Sequence, residues 1–296
     1  MAGYDVIDHG PRRRRWVALA VLSGLVVVPL AGIILSRGRG LPPTPPSASA
    51  SPSSALAARP TLSPAQENKL FPKETGGAVK SVKVTFPDGF AATVTYPSDV
   101  GLARLGVRPY MLATIGTRLR VFYAPAGGEA EVATGGPRIR DLTPNVSLWP
   151  GLPRAVGTLQ DPLLLFAFKH WRIAMPDGEL QMNFEERLAV ARALHGKVTS
   201  DGYLVLTADP PIQLGSPGAV MGGLMLSPQL WFGGAGDPIV VLVHTVDCRK
   251  DMPLPDVVVQ QPEDFAGGCA SKDVYIAVGG PSDLVHHVLD TVRVQS

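Results

Sequence analysis

The stretch HTVDCRKD, residues 244–251, gathers His244, Asp247 and Cys248, the densest group of potentially reactive side chains in the chain. An imidazole beside a carboxylate is the raw material of general acid–base work. The spacing works against cooperation, because in an extended strand residues three apart point to opposite faces. His244 and Asp247 are therefore catalytic candidates without a shared geometry, and a metal pair is disfavoured. The simplest expectation is a polar strand end leading into a disulfide-closed loop. The other histidines and carboxylates add little. His286 and His287 are adjacent, about 100° apart on a helix, and are poor joint ligands. His195 falls near a helix C-terminus, where it complements the macrodipole. Glu185 and Glu186 fall in a first helical turn, and Glu263 and Asp264 lie between the two cysteines.

Longer motifs are missing. The chain has no G-x-S-x-G elbow, phosphate-binding loop, H-E-x-x-H pair or doubled C-x-x-C. HGKVTS at 195 and FGGAGDP at 232 read as turns. No metal site and no cofactor are expected. Aromatic rings offer a second kind of chemistry, stacking recognition. Trp149 in SLWPGLP and Trp231 in QLWFGG are flanked by Pro and Gly that favour loops, so both are candidate binding platforms; core packing is the competing role.

The two cysteines, Cys248 and Cys269, enclose twenty residues. Outside the cytoplasm such a pair is most simply a disulfide, stabilising by about 3 kcal/mol in the chain-entropy model. Free buried thiols and a thiol catalyst are the alternatives.

The elements that must carry these residues read as α+β with strands in the majority. VKSVKVTF and FAATVTY flank Pro87-Asp88-Gly89 as a hairpin, and RLRVFYA with EAEVA flanks residues 125–128 in the same way. Further strands are expected at LLLFAFKHWRIAM, YLVLTA, LMLSPQLWF, PIVVLVHTV and DVYIAV, many apolar enough to be covered on both faces. Two or three helices are expected. One spans 184–195, with Asn183 as N-cap, Glu186 completing a capping box and Gly196 at C′, and with Phe184, Leu188, Ala191 and His195 on one face. Another begins in PSDLVHHVLDTV with Ser282 as cap and Asp283 in the first turn. Its start echoes TVTYPSDVGLARLGVR near residue 95. Both copies run strand, Pro-Ser-Asp, apolar segment and Val-Arg, and a generic helix start explains the likeness as well as a duplication does.

Where this domain sits follows from the N-terminal residues. Trp16–Leu35 is twenty residues without a charge, long enough for the roughly 30 Å hydrocarbon core of a bilayer. It exceeds the usual apolar run of a cleavable signal and lacks a nearby small-x-small site, so a single transmembrane helix, held in membrane lipid, is expected. Four arginines, Arg12 to Arg15, precede it, and Arg37 and Arg39 follow. The more positive flank stays cytoplasmic, placing the N-terminus inside and the rest outside. Arg13-Arg14-Arg15-Trp16-Val17 also loosely resembles a twin-arginine export signal, which would preserve that topology. The 1–15 stub is too short to bury a core, which excludes a cytoplasmic signalling head.

Residues 36–68, dense in Pro, Ser and Ala, form an expected disordered tether. Residues 69–296 are the expected extracytoplasmic α+β region, mainly antiparallel β, as one domain or as two subdomains split near 150–160. They hold 20 Lys and Arg against 22 Asp and Glu, a net −2, whereas the whole chain is +2. A near-neutral folded region without basic clusters argues against nucleic acid. The expected function is that of a single-pass membrane-anchored cell-envelope protein with an extracytoplasmic binding module for an envelope protein or a cell-wall component. A membrane-tethered hydrolase with an unmotifed site is the alternative.

Overall fold

The computed structural model describes residues 68–151, 161–178, 181–234 and 238–296. The apolar segment 16–35 lies outside them, as does the tether apart from Asn68. Among the described residues, no helix is long and apolar enough to cross a membrane. Asn68 is buried, its side chain donating to the carbonyls of Pro125 and Arg172 and accepting from the Arg172 amide.

The described residues fold as α+β, mainly antiparallel sheet with four α-helices. Near the start, β1 (Thr75–Gly76), β2 (Val79–Thr85) and β3 (Ala91–Pro97) form a meander, with the Pro87-Asp88-Gly89 turn closing the expected hairpin. Their alternation is clear: Val82, Val84, Val94 and Tyr96 face inward. The first Pro-Ser-Asp segment then gives only a 3₁₀ turn (Leu102–Leu105), because Gly101 and Gly106 flank it in the left-handed region. Next come β4 (Val107–Ile115) and β5 (Arg118–Tyr123), paired as a hairpin.

The second expected hairpin is not formed. GEAEVA makes α1 (Gly128–Ala133) instead, where Gly128 takes φ +58° and Glu131 accepts from the Gly127 amide. Helix-favouring Glu and Ala around one buried Val132 decide the matter locally.

The chain continues through β6 (Arg140–Thr143), β7 (Val146–Trp149), β8 (Leu163–Phe168) and β9 (Trp171–Pro176). The long apolar run LLLFAFKHWRIAM is thus two strands joined by Lys169-His170, with Lys169 at φ +54°.

Helix α2 (Phe184–Ala193) carries both bonds of the expected capping box between Asn183 and Glu186. It ends before Gly196, because Leu194 already pairs with Ala208 at the start of β10 (Leu194–Val198), the partner of β11 (Leu204–Ala208). Cross-strand pairing overrides the propensity of the last expected turn. The buried face is Val190, Ala191 and Ala193 rather than the expected set, and Phe184 is exposed beneath the Arg140 guanidinium.

Three short strands follow: β12 (Ile212–Leu214) against β4, and β13 (Val220–Met221) against β14 (Leu224–Met225). The apolar β15 (Gln229–Gly233) and β16 (Ile239–His244) lead to α3 (Asp256–Val259), β17 (Asp264–Cys269) and β18 (Val274–Gly280). The second Pro-Ser-Asp segment opens α4 (Ser282–Thr291), and β19 (Arg293–Gln295) ends the described chain. Ser282 does not cap α4; its hydroxyl donates to Asp264 of β17 at 2.8 Å.

Two sheets result. A small one runs β1-β2-β3-β19. A large one runs β17-β18-β16-β15-β4-β5-β9-β8-β7-β6, with β12 beside β4. Chain order and sheet order diverge at both Pro-Ser-Asp segments: the first carries the chain from the small sheet to the large one, the second carries it back. His287 of α4 lies 3.2 Å from Asp99, tying the two segments together.

Register assigns the faces of the large sheet. On one face, Phe232, Leu242 and Val278 pack against the small sheet and α4, while Phe122, Phe166 and Ile173 pack under α2 and the β10–β11 hairpin. On the other, Val241, Val243 and Tyr275 meet α3, and Leu163, Leu165 and Ala174 meet Val132 of α1. Among the described residues, the middle of this second face has no covering element.

Candidate functional site

That uncovered middle is a groove. Its floor is one face of three neighbouring strands, which strand pairing brings into line: Trp231 and Gln229 of β15, Tyr110 and Leu112 of β4, and Leu119, Val121 and Tyr123 of β5. Leu224 and Met225 close one end. The wall on the α3 side is Leu254, Pro255, Val257 and Gln260, with Asp256 at the rim, and the enclosed space is about 400 Å³. A concave, mostly apolar surface with a few convergent polar groups is the usual form of a binding site.

The aromatic floor is held rigid. Trp231 and Tyr110 stack at 4.1 Å with 17° between their planes. Trp231 Nε1 donates to Gln229 Oε1 at 2.8 Å, and Gln229, itself buried, donates to the Met225 carbonyl. Burial, reinforced by the negative charge of Asp256, pushes the Tyr110 hydroxyl up to about 12. The phenol stays neutral and offers a donor at any physiological pH.

The wall is stapled. Cys248 and Cys269 are at disulfide-bonding distance, their Cα atoms 5.8 Å apart. The segment between them is more ordered than a bare loop: it contains α3 and the edge strand β17. Val258 of α3 inserts into the core beside Val241 and Tyr275, fixing the height of the wall above the sheet.

The residues singled out from the sequence have diverse fates. Trp231 is the partly exposed ring of the groove floor. Trp149 is 6% exposed, packed against Val132 and Leu163 with its indole donating to Ser147. Asp247 stands exposed at φ +54°, 3.2 Å from Lys272. His244 is not joined to it. Its Nδ1–H donates to Asp88 Oδ2 at 2.6 Å, and its ring stacks on Phe90 at 3.8 Å. This couples β16 of the large sheet to the β2–β3 turn of the small one. A carboxylate-oriented imidazole is half of a nucleophilic triad, yet no hydroxyl or thiol among the described residues hydrogen-bonds this ring. Asp264 is spent on Ser282 and the Phe265 amide, which hold its carboxyl below the usual range. Among the described residues, no three His, Cys, Asp or Glu side chains cluster as metal ligands.

Tyr110, Tyr123 and the α3 wall went unmarked in the sequence. Their only signal is alternation: Tyr110 and Leu112 share a strand face, as do Leu119, Val121 and Tyr123, but nothing local says that this face lacks a cover. No protein-family model, curated protein or solved structure matches this chain.

Proposed function

We propose that the chain is a single-pass membrane-anchored protein of the cell envelope whose extracytoplasmic domain is a binding module, with the aromatic groove as receptor for an extended segment of an envelope protein. The observation that carries this reading is the stacked Tyr110–Trp231 floor, open to solvent between two covered halves of one sheet face. Rigid aromatic rings give large contact area at small entropic cost, and aromatic-lined grooves suit extended or proline-bearing peptides. Asp256, the one carboxylate lining the groove among the described residues, favours a segment with a basic or neutral flank. The charge-free run at 16–35 and its arginine flank support the anchor and its orientation.

A photo-crosslinking residue placed at Val257 in living cells tests the groove, with the same residue at exposed Ile139 as control. The expected outcome is a discrete adduct from position 257 that Leu224→Glu abolishes and that protease digests. An adduct released by a glycan-cleaving enzyme instead would transfer the proposal to a wall polymer. Equal crosslinking from both positions would overturn it. Labelling of Val79→Cys, at a 62% exposed site, by a membrane-impermeant maleimide on intact cells checks the orientation.

A further inference from the structure

The large sheet ends on two edge strands, β6 and β17, and they are finished differently. An unpaired strand edge is a row of open donors and acceptors that folded proteins usually protect. The β6 edge is protected: its register breaks between Asp141 and Thr143, Arg138 holds Asp141 at 3.0 Å, and Arg140 lies over the Phe184 ring. The β17 strand, DFAGGC, has an unbroken register, no proline and no basic residue.

The hydrogen bonds around β17 identify the residues that look outward. In an antiparallel pair, alternate residues exchange both backbone bonds with the neighbouring strand, and those between them direct both groups away. The Ala270 amide continues the ladder to the Val274 carbonyl, whereas the Phe265 amide turns away onto Asp264 Oδ1 at 2.8 Å. Asp264, Ala266 and Gly268 therefore bond to β18, and Phe265, Gly267 and Cys269 face outward. Among the described residues, nothing meets the outward carbonyls of these three or the amides of Gly267 and Cys269. Phe265 is 40% exposed, a large apolar group at an open edge.

Such a row fits another extended strand. Its pattern is symmetric about Gly267. Two copies of β17 laid antiparallel, Gly267 opposite Gly267, pair every outward residue, Phe265 of each with Cys269 of the other, in the isologous arrangement of a two-fold dimer. A slip of two residues either way forfeits one of the three pairs. Charge selects the antiparallel sense. Glu263 and Asp264 stand at one end of the strand and Lys272 just beyond the other, so antiparallel copies set acid toward base, whereas parallel copies set acid against acid. Lys272 can reach across, because its contact with Asp247 is a surface one, with the side chains 76% and 73% exposed. The Phe265 ring then lies beside the other copy's disulfide, on the α3 side of the sheet. We infer that β17 is a dimerisation edge that joins two copies of this chain into one continuous sheet. The inference rests on this edge and not on what the aromatic groove binds. A six-residue strand pair is a small interface, so the association is weak and reversible.

Sedimentation velocity of the full chain in detergent, over roughly 1–300 µM, tests the inference. Phe265→Pro removes an outward amide without touching the β18 ladder, and Phe265→Lys installs a charge of the kind that guards natural edges, near Lys272 of the other copy. A reversible monomer–dimer equilibrium is expected, its dissociation constant raised at least about ten-fold by either variant. Residue-resolved hydrogen exchange should show protection growing with concentration at Gly267 and Cys269 but not at Ala266 or Gly268. Association through the apolar segment 16–35 would not produce that alternation. A monomer across the whole range, a dimer equally tight in both variants, or protection gained without the alternation would each overturn the inference. If Phe265→Pro fails to fold, Phe265→Lys decides.

Discussion

At the scale of single residues, the two tryptophans show what a sequence reader can and cannot see. Trp149 and Trp231 have similar Pro- and Gly-rich neighbours, yet one is core and the other groove floor. The difference lies in the opposite strand: Trp149 faces Leu163 across β8 and is roofed by α1, whereas Trp231 faces Arg108 across β4, where among the described residues α3 stands beside the ring and no helix roofs it. The tyrosines give a residue-scale prediction. Burial raises the hydroxyls of Tyr96, Tyr110, Tyr203 and Tyr275, helped at Tyr96 by its bond to Glu74. The unfolded chain therefore loses these protons first, so stability is intact below about pH 10 and falls as pH rises through the folded values. Tyrosinate absorbance and near-UV circular dichroism, followed together, should show ionisation and loss of tertiary structure as one transition above pH 10. Tyr110→Phe should move that transition to higher pH.

At the scale of elements, local chemistry was legible where it decided the outcome alone. The Pro87-Asp88-Gly89 turn and the Asn183–Glu186 box are both formed from neighbours within a few residues. Where a distant partner competes, local reading fails: α2 stops early because β11 claims Leu194, and Ser282 gives up its cap to reach Asp264. GEAEVA departs from the expected strand for a different reason, since helix propensity and one buried valine prevail there. The disulfide carries the element-scale prediction. Reduction, or Cys248→Ser with Cys269→Ser, should cost about 3 kcal/mol in denaturant unfolding. Hydrogen exchange should rise first in residues 249–268, so groove binding should weaken more steeply than global stability falls.

At the scale of the whole molecule, strand pattern predicted strands but not their neighbours, because alternation records which face is covered and not by what. The order β16-β15-β4-β5-β9 is set by packing across long separations, and the groove is a product of that order rather than of any motif. The small sheet is the extreme case: β19 pairs with β3 across 198 residues and seals Val82, Val94 and Val294 into one core with Val278 and Val288. Val294→Asp, placing a charge at a 5% exposed position, should therefore destabilise the domain by about 3 kcal/mol or more, measured by urea unfolding. The same pairing has a bearing on biosynthesis. The hairpin that leaves the ribosome early has its hydrophobic side uncovered until residues 293–295 have also emerged, so a nascent chain stalled anywhere upstream is open to chaperones and proteases. Synthesis through residue 295 thereby becomes a condition of protease resistance, and products aborted upstream are marked for removal by their own missing strand.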